Sequence, residues 1–288
     1  MRNITKGLGL LLSFCMMEAV FAKEDAPENV FVVRDVEYAQ VGGEPLLLDL
    51  YCTETTEGAP PLIVWFHGGD TGVGGSAVVN KAVLRLAGDG YFLVSVDCWR
   101  KDGVVYPGGV YNGKAALRWI YAHADEYGYD PEKVIVAGAS FGGYLATMLG
   151  MSQGVKELEG TVGGHQEASA DGICGIINFY GSSDLSGLAA ESSCPEKRCD
   201  KDLAERASPL AYLTPDDPPM LIIHGDADKT VPLEQGAILS QQYQDAGLVS
   251  ELMVIKNANH GGSPFESDEV YNGIFDFLED IAPLSFMF

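Results

Sequence analysis

A chain of 288 residues that is 47% hydrophobic and 20% charged holds enough apolar material for a large core, and excludes a disordered protein. Its 41 Asp and Glu against 18 Lys and Arg leave a formal net charge of −23. Such a surface repels nucleic acid and anionic lipid, so neither is an expected partner.

The first 22 residues stand apart. Arg2 and Lys6 precede an apolar run from Leu8 to Met17, and Val20-Phe21-Ala22 follows. This is the pattern of a secretory signal cleaved near Ala22. The run is shorter than the roughly 20 residues a membrane span needs, and no second run reaches that length. Cys15 in "LSFC" offers a lipoprotein alternative, weakened by the bulky Phe14. The expectation is a secreted or periplasmic protein whose residues 23–288 form one domain.

The mature chain alternates strand and helix patterns. "LLLDLYC" (46–52) alternates as a half-buried strand does, and pairs in an antiparallel hairpin at one edge. Nearly continuous apolar runs at 61–68, 91–99, 133–140, 172–181 and 218–225 suit strands buried on both faces of a parallel sheet, with 250–258 as the last strand. Helical patterns occupy 76–88, 108–128, 232–246 and 266–281. This order predicts right-handed crossovers and a doubly wound α/β sheet. The long polar segments 151–171 and 184–216 are expected to overhang the carboxyl ends of the strands, where ligands bind. Within the second, Cys194 and Cys199 flank a proline in "SSCPEKRCDKD" and form a disulfide candidate for an oxidising compartment. Cys52, Cys98 and Cys174 lie in or beside apolar runs and read as buried thiols. No histidine near the cysteine pair completes a metal site.

The sequence "VAGASFGGYLATMLG" (136–150) holds Gly138-Ala139-Ser140-Phe141-Gly142, a G-x-S-x-G match between a strand and a helix. A sharp elbow of this kind lifts a serine to the top of the sheet, and glycines are needed where a β-carbon would clash. A serine hydroxyl needs a base. His260 in "NANHGG" follows the last strand and is the best placed. His67 and His224 end apolar strands and read as loop-orienting residues. His123 falls in a helix, exposed, and His165 in a glycine-rich loop. An imidazole in turn needs a carboxylate to fix its tautomer. "HGDADKTVP" (224–232) supplies Asp226 and Asp228, and the chain order Ser, Asp, His is that of an α/β-hydrolase. "WFHGGD" (65–70) stands where an oxyanion loop belongs, and the N–H of Phe141 is the second donor.

With these motifs together, the chain resembles the secreted bacterial α/β-hydrolases related to hormone-sensitive lipase, in particular the acetylxylan and feruloyl esterase-like branch. The resemblance runs from about Val36 to the C-terminus. It rests on "LLLDLY", "WFHGG", "YGYDPEKVIVAGASFGGYLATML", "INFYGSSDL", "ASPLAYLTPDDPPMLIIHGDADKTVPLEQ" and "NANHGG". It implies an α/β-hydrolase fold with an eight-stranded, mostly parallel sheet, and Asp228 rather than Asp226 as the triad carboxylate. It places the oxyanion donors at Gly69, Asp70 and Phe141, and implies ester hydrolysis through an acyl-enzyme on Ser140 with no metal or organic cofactor. Asp70 departs from the glycine usual in the family's loop. In "DCWRKDG" (97–103) Trp99 departs from a usual tyrosine, and with Gly68 is expected to line the substrate pocket. The implied substrates are small-molecule or carbohydrate esters, acetyl or feruloyl, on acylated polysaccharide fragments. Two other readings fit parts of the sequence. "ASPL" and "HGDAD" also resemble prolyl oligopeptidase catalytic domains, although no room is left here for their propeller. A hydrolase fold that only binds carbohydrate is the other, and an intact triad argues against it.

Overall fold

The computed structural model describes residues 26–53, 58–69, 79–98, 106–188 and 201–284. The leader expected up to Ala22, Cys15, Asp70, Trp99 and the Cys194–Cys199 pair lie outside the described residues.

Eight strands form one sheet: β1 (Val30–Val41), β2 (Glu44–Thr53), β3 (Leu62–Phe66), β4 (Phe92–Val96), β5 (Val134–Ala139), β6 (Ile173–Phe179), β7 (Met220–Gly225) and β8 (Ser250–Ile255). Their order is β1-β2-β4-β3-β5-β6-β7-β8. β2 runs antiparallel to both β1 and β4, and every pair from β4 through β8 is parallel. This is the mostly parallel, doubly wound sheet of an α/β-hydrolase, as the alternating pattern predicts.

The described helices are α1 (Lys81–Asp89), α2 (Gly108–Ala122), α3 (Ala124–Tyr127), α4 (Phe141–Met151), α5 (Leu185–Leu188), α6 (Lys201–Arg206), α7 (Leu233–Asp245) and α8 (Asp268–Ile281). Successive residues of a strand face opposite sides, so the central strands feed two cores. Val64, Phe66, Val134 and Val136 pack with α2, α4 and α7 on one face. Ile63, Trp65, Ile135 and Ala137 pack with α1 and α8 on the other. All eight of these side chains are at most 2% exposed, which explains why their strands lack a polar alternation.

Three expectations need correction. β2 is not half-buried: Leu48, Asp49, Leu50 and Tyr51 are all buried, because β1 and β4 flank the strand and both faces are covered. Its buried charge, Asp49, accepts from Arg34 at 2.8 Å and from the Asp35 N–H at 2.9 Å. The helix over 108–128 breaks at His123, which is not exposed. Its Nδ1–H donates to the Trp119 carbonyl at 2.7 Å, and its half-buried ring stacks on Trp119 at 4.0 Å.

The third correction concerns residues 152–171. Helix α4 starts at the carboxyl end of β5 and runs back beside the sheet, and β6 starts at its amino end. The segment joining them therefore begins and ends at the amino edge, away from Ser140. It is held against α2 rather than over the strand tops. Buried Lys114 donates to the Ser152 carbonyl at 3.1 Å and pairs with Glu159 at 3.0 Å and Asp171 at 3.4 Å. Arg118 donates to the carbonyls of Glu159 at 3.1 Å and Val162 at 3.0 Å. Of the two long segments, the one after β6 is the one that leaves a carboxyl end. Tyr144 ties it down by donating to the Ala207 carbonyl at 2.9 Å.

Candidate active site

The strand β5 ends at Ala139 and α4 starts at Phe141, so one residue makes the whole turn. That residue is Ser140, with φ 57° and ψ −118°, a backbone shape that costs a non-glycine residue on the order of 1–3 kcal/mol. The flanking glycines make it possible. A β-carbon at Gly138 would press on the Gly142 carbonyl, and one at Gly142 on the Phe66 carbonyl. The turn is fastened from β6: the Ser140 N–H donates to the Phe179 carbonyl at 2.9 Å, and the Tyr144 N–H to the Ser140 carbonyl at 3.0 Å. Buried Asn178 braces the same corner, accepting from the Gly181 N–H at 2.7 Å and donating to Thr147 Oγ1 at 2.9 Å.

Three loops at carboxyl ends of strands bring Ser140, Asp228 and His260 together. Ser140 Oγ lies 2.8 Å from His260 Nε2, and His260 Nδ1 lies 2.7 Å from Asp228 Oδ2. A carboxylate only accepts, so Nδ1 carries the proton and Nε2 offers its lone pair to the serine hydroxyl. The Asp228 side chain is fully buried and its second oxygen accepts from the N–H groups of Thr230 at 2.8 Å and Val231 at 2.9 Å. That leaves it little freedom to turn away from the imidazole.

The Asp and His loops are tied to each other. Asn259 Oδ1 accepts from the N–H of Lys229 at 3.2 Å and of His260 at 2.9 Å. Asp226 accepts from the Asn257 N–H at 2.6 Å, so this second carboxylate shapes the loop.

The remaining histidines stay off the serine. His224 is fully buried, donates from Nε2 to the Val231 carbonyl at 2.8 Å, and stands 3.6 Å from Asp228 Oδ2. Burial holds its pKa below the ordinary value, so it stays neutral beside the carboxylate. His67, also buried, donates from Nδ1 to the Gly68 carbonyl at 2.9 Å and lies 3.5 Å from Asp97. Both orient loops, as their strand-end positions predicted. His165 contacts His123 edge-on at 5.0 Å, on the 152–171 segment.

On the other side of Ser140, Gly68 lies flat against the elbow. A β-carbon on it would come within 3.1 Å of the Ala139 carbonyl oxygen and 3.4 Å of Ser140 Cβ. The chain of the WFHGG loop therefore passes beside the serine at close range, with Gly69 exposed beyond it. Phe141 opens α4, so its N–H belongs to the first turn, whose donors point out of the helix end.

Several residues of this site escaped the sequence reading. Asn178 and Asn259 act through contacts 31 and 30 residues away. A polar residue inside the otherwise apolar run of β6 was the one visible signal, at Asn178. Tyr180 is another. Its ring meets His260 at 4.8 Å, and burial, with the Asp228 and Glu266 carboxylates, pushes its phenol up to about 12.

The chain is similar to known esterases. The chain is 29% identical to esterase LipC of Mycobacterium tuberculosis over 213 residues, 67% of this chain and 51% of LipC. It spans about half the length of the curated relatives it matches. Among solved structures it is similar to esterase 2 of Thermogutta terrifontis, at 28% identity and a TM-score of 0.75, covering 91% of this chain and 96% of that one. A truncated carbohydrate esterase from gut microbiota shares the fold, with 22% identity and a TM-score of 0.72 over 89% of this chain and 99% of the other. The model of the BD-FAE family matches residues 48–243. With that match over most of its length, on this sheet and these loops, the chain belongs to the BD-FAE family of α/β-hydrolases.

Proposed function

We propose that this chain is a serine carboxylesterase acting on short-chain acyl (acetyl) esters or on feruloyl esters, through an acyl-enzyme on Ser140. The observation that carries the reading is the pair of hydrogen bonds at His260, 2.8 Å to Ser140 Oγ and 2.7 Å to Asp228 Oδ2. Esterases are also the recurrent name among its relatives.

The chemistry follows from the geometry. As Ser140 Oγ attacks the ester carbonyl, its proton passes to His260 Nε2, and the imidazolium forms against Asp228. Negative charge gathers on the former carbonyl oxygen. The N–H of Phe141 and those of the Gly69–Asp70 stretch are the donors proposed to meet it. The tetrahedral species collapses, and the leaving alcohol takes the proton from Nε2. Water then attacks the acyl-serine with His260 again as base, releasing the carboxylic acid and restoring Ser140.

Polysaccharide fragments as the carrier of the acyl group rest on the resemblance to acetylxylan and feruloyl esterases. Export with removal of the leader near Ala22 fits that setting. N-terminal sequencing of protein from the native host tests the export. The activity is tested with nitrophenyl acetate, butyrate and ferulate beside acetylated xylan. Release of acetate or ferulate at rates above the Ser140→Ala variant supports the reading. No turnover of any ester, with no labelling by a fluorophosphonate, contradicts it.

A further inference from the structure

Tyr180 carries a strained backbone. It follows β6 with φ 43°, in the left-handed region where glycine is favoured, and the next residue in the chain is Gly181. The tyrosine is locked in: its N–H donates to the Ile223 carbonyl at 2.8 Å, and the Gly181 N–H to Asn178 Oδ1 at 2.7 Å. Strain at a residue held so firmly marks a side chain whose direction matters.

That direction is toward the histidine. The buried Tyr180 ring meets the His260 ring edge-to-face, with centroids 4.8 Å apart and planes at 65°. On another side it meets Phe265, fully buried, at 4.6 Å and 67°. Phe265 lies in the short turn Ser263–Glu266, just past His260. Between His260 and that turn the chain runs through Gly261 and Gly262, both at positive φ (81° and 88°). The two hydrogen bonds at Nδ1 and Nε2 fix the imidazole in its own plane. They leave tilt about the line joining Asp228 and Ser140 unopposed, and a ring packed against the imidazole opposes that tilt.

We propose that Tyr180 is a positioning residue for the esterase reaction, its ring acting as the wall that holds the His260 imidazole in the plane shared by Ser140 and Asp228. This rests on the triad reading above. The ring does the work, not the hydroxyl.

The test compares Tyr180→Phe, which keeps the ring, with Tyr180→Leu, which keeps an apolar side chain without it. The parallel controls are the wild type and Ser140→Ala. Nitrophenyl acetate is the substrate and thermal unfolding reports the fold. Misplacing a catalytic group by an ångström or so costs about 10²-fold in rate. Tyr180→Leu is therefore expected to lose about ten- to a hundredfold in kcat with KM within about threefold, and Tyr180→Phe to stay within about threefold of the wild type in both. If Tyr180→Leu does not fold, Tyr180→Met replaces it in the same comparison. Wild-type kcat in the ring-less variant overturns the proposal, as does an equal loss in Tyr180→Phe. An inactive wild type instead overturns the esterase reading itself, and active Ser140→Ala overturns the triad reading, so the failures are distinguishable.

Discussion

Two regions of this molecule hold buried charge next to loops, and they solve the problem differently. Along α2, the Lys114 ammonium and the Arg118 guanidinium meet Glu159, Asp171 and backbone carbonyls of the 152–171 segment. At the strand tops, Asp228 meets no Lys or Arg among the described residues. Its partners are two N–H groups and an imidazole. The first arrangement can only hold. The second can gain and lose a proton without a change of contacts, which is what a base and its orienting carboxylate need. A carboxylate partnered by Lys or Arg is a clamp, and one partnered by His and N–H groups is a candidate machine part.

Substitutions separate the two. His260→Ala removes the proposed base and is expected to lower kcat/KM at least about a thousandfold with little change in unfolding temperature. Asp228→Asn keeps the size of the side chain but favours the wrong tautomer of His260, for an expected loss of about 10²- to 10⁴-fold, read in the same assay. Lys114→Met should do the opposite. It is expected to leave kcat within about twofold while lowering stability by on the order of 1–2 kcal/mol, read as a fall of several degrees in the melting temperature. A large loss of activity in Lys114→Met would erase the distinction between the regions.

The smallest effect is one of pH. Burial works against the ionised form of Asp171, but the Gly154 N–H, Lys114 and the Ser169 hydroxyl outweigh it and hold the pKa below the ordinary carboxylate value. A carboxylate with a depressed folded-state pKa stabilises the fold fully above its unfolded value of about 3.9, and that stability drains away as pH falls through the folded pKa. Melting temperatures of the wild type and Asp171→Asn should therefore differ most above about pH 4 and converge as pH falls below it. A gap that widens on acidification would reverse the sign of the clamp.

Much of this was legible in the sequence, and the pattern of what was not is physical. Strands buried on both faces announce themselves as apolar runs, so β3, β5, β6 and β7 were visible. The G-x-S-x-G elbow needs only local glycines, so Ser140 was visible too. The choice of Asp228 over Asp226 needed family resemblance, because both carboxylates sit in one turn and only the fold shows which faces His260. The position of 152–171 was misread from polarity. Its polar residues include the partners of two buried cations on α2, Lys114 and Arg118, which lie some forty residues earlier. Tyr180 was invisible for the same reason, since its ring meets residues about eighty positions away.

The central claim is that Ser140 becomes covalently acylated. Its most direct test is mass spectrometry of the intact protein after treatment with a fluorophosphonate, followed by peptide mapping. A single adduct on the peptide containing Ser140, formed in step with loss of esterase activity and absent from Ser140→Ala, is the predicted result. An adduct on another residue that accompanies the loss of activity, or no adduct on protein that hydrolyses esters, would contradict it.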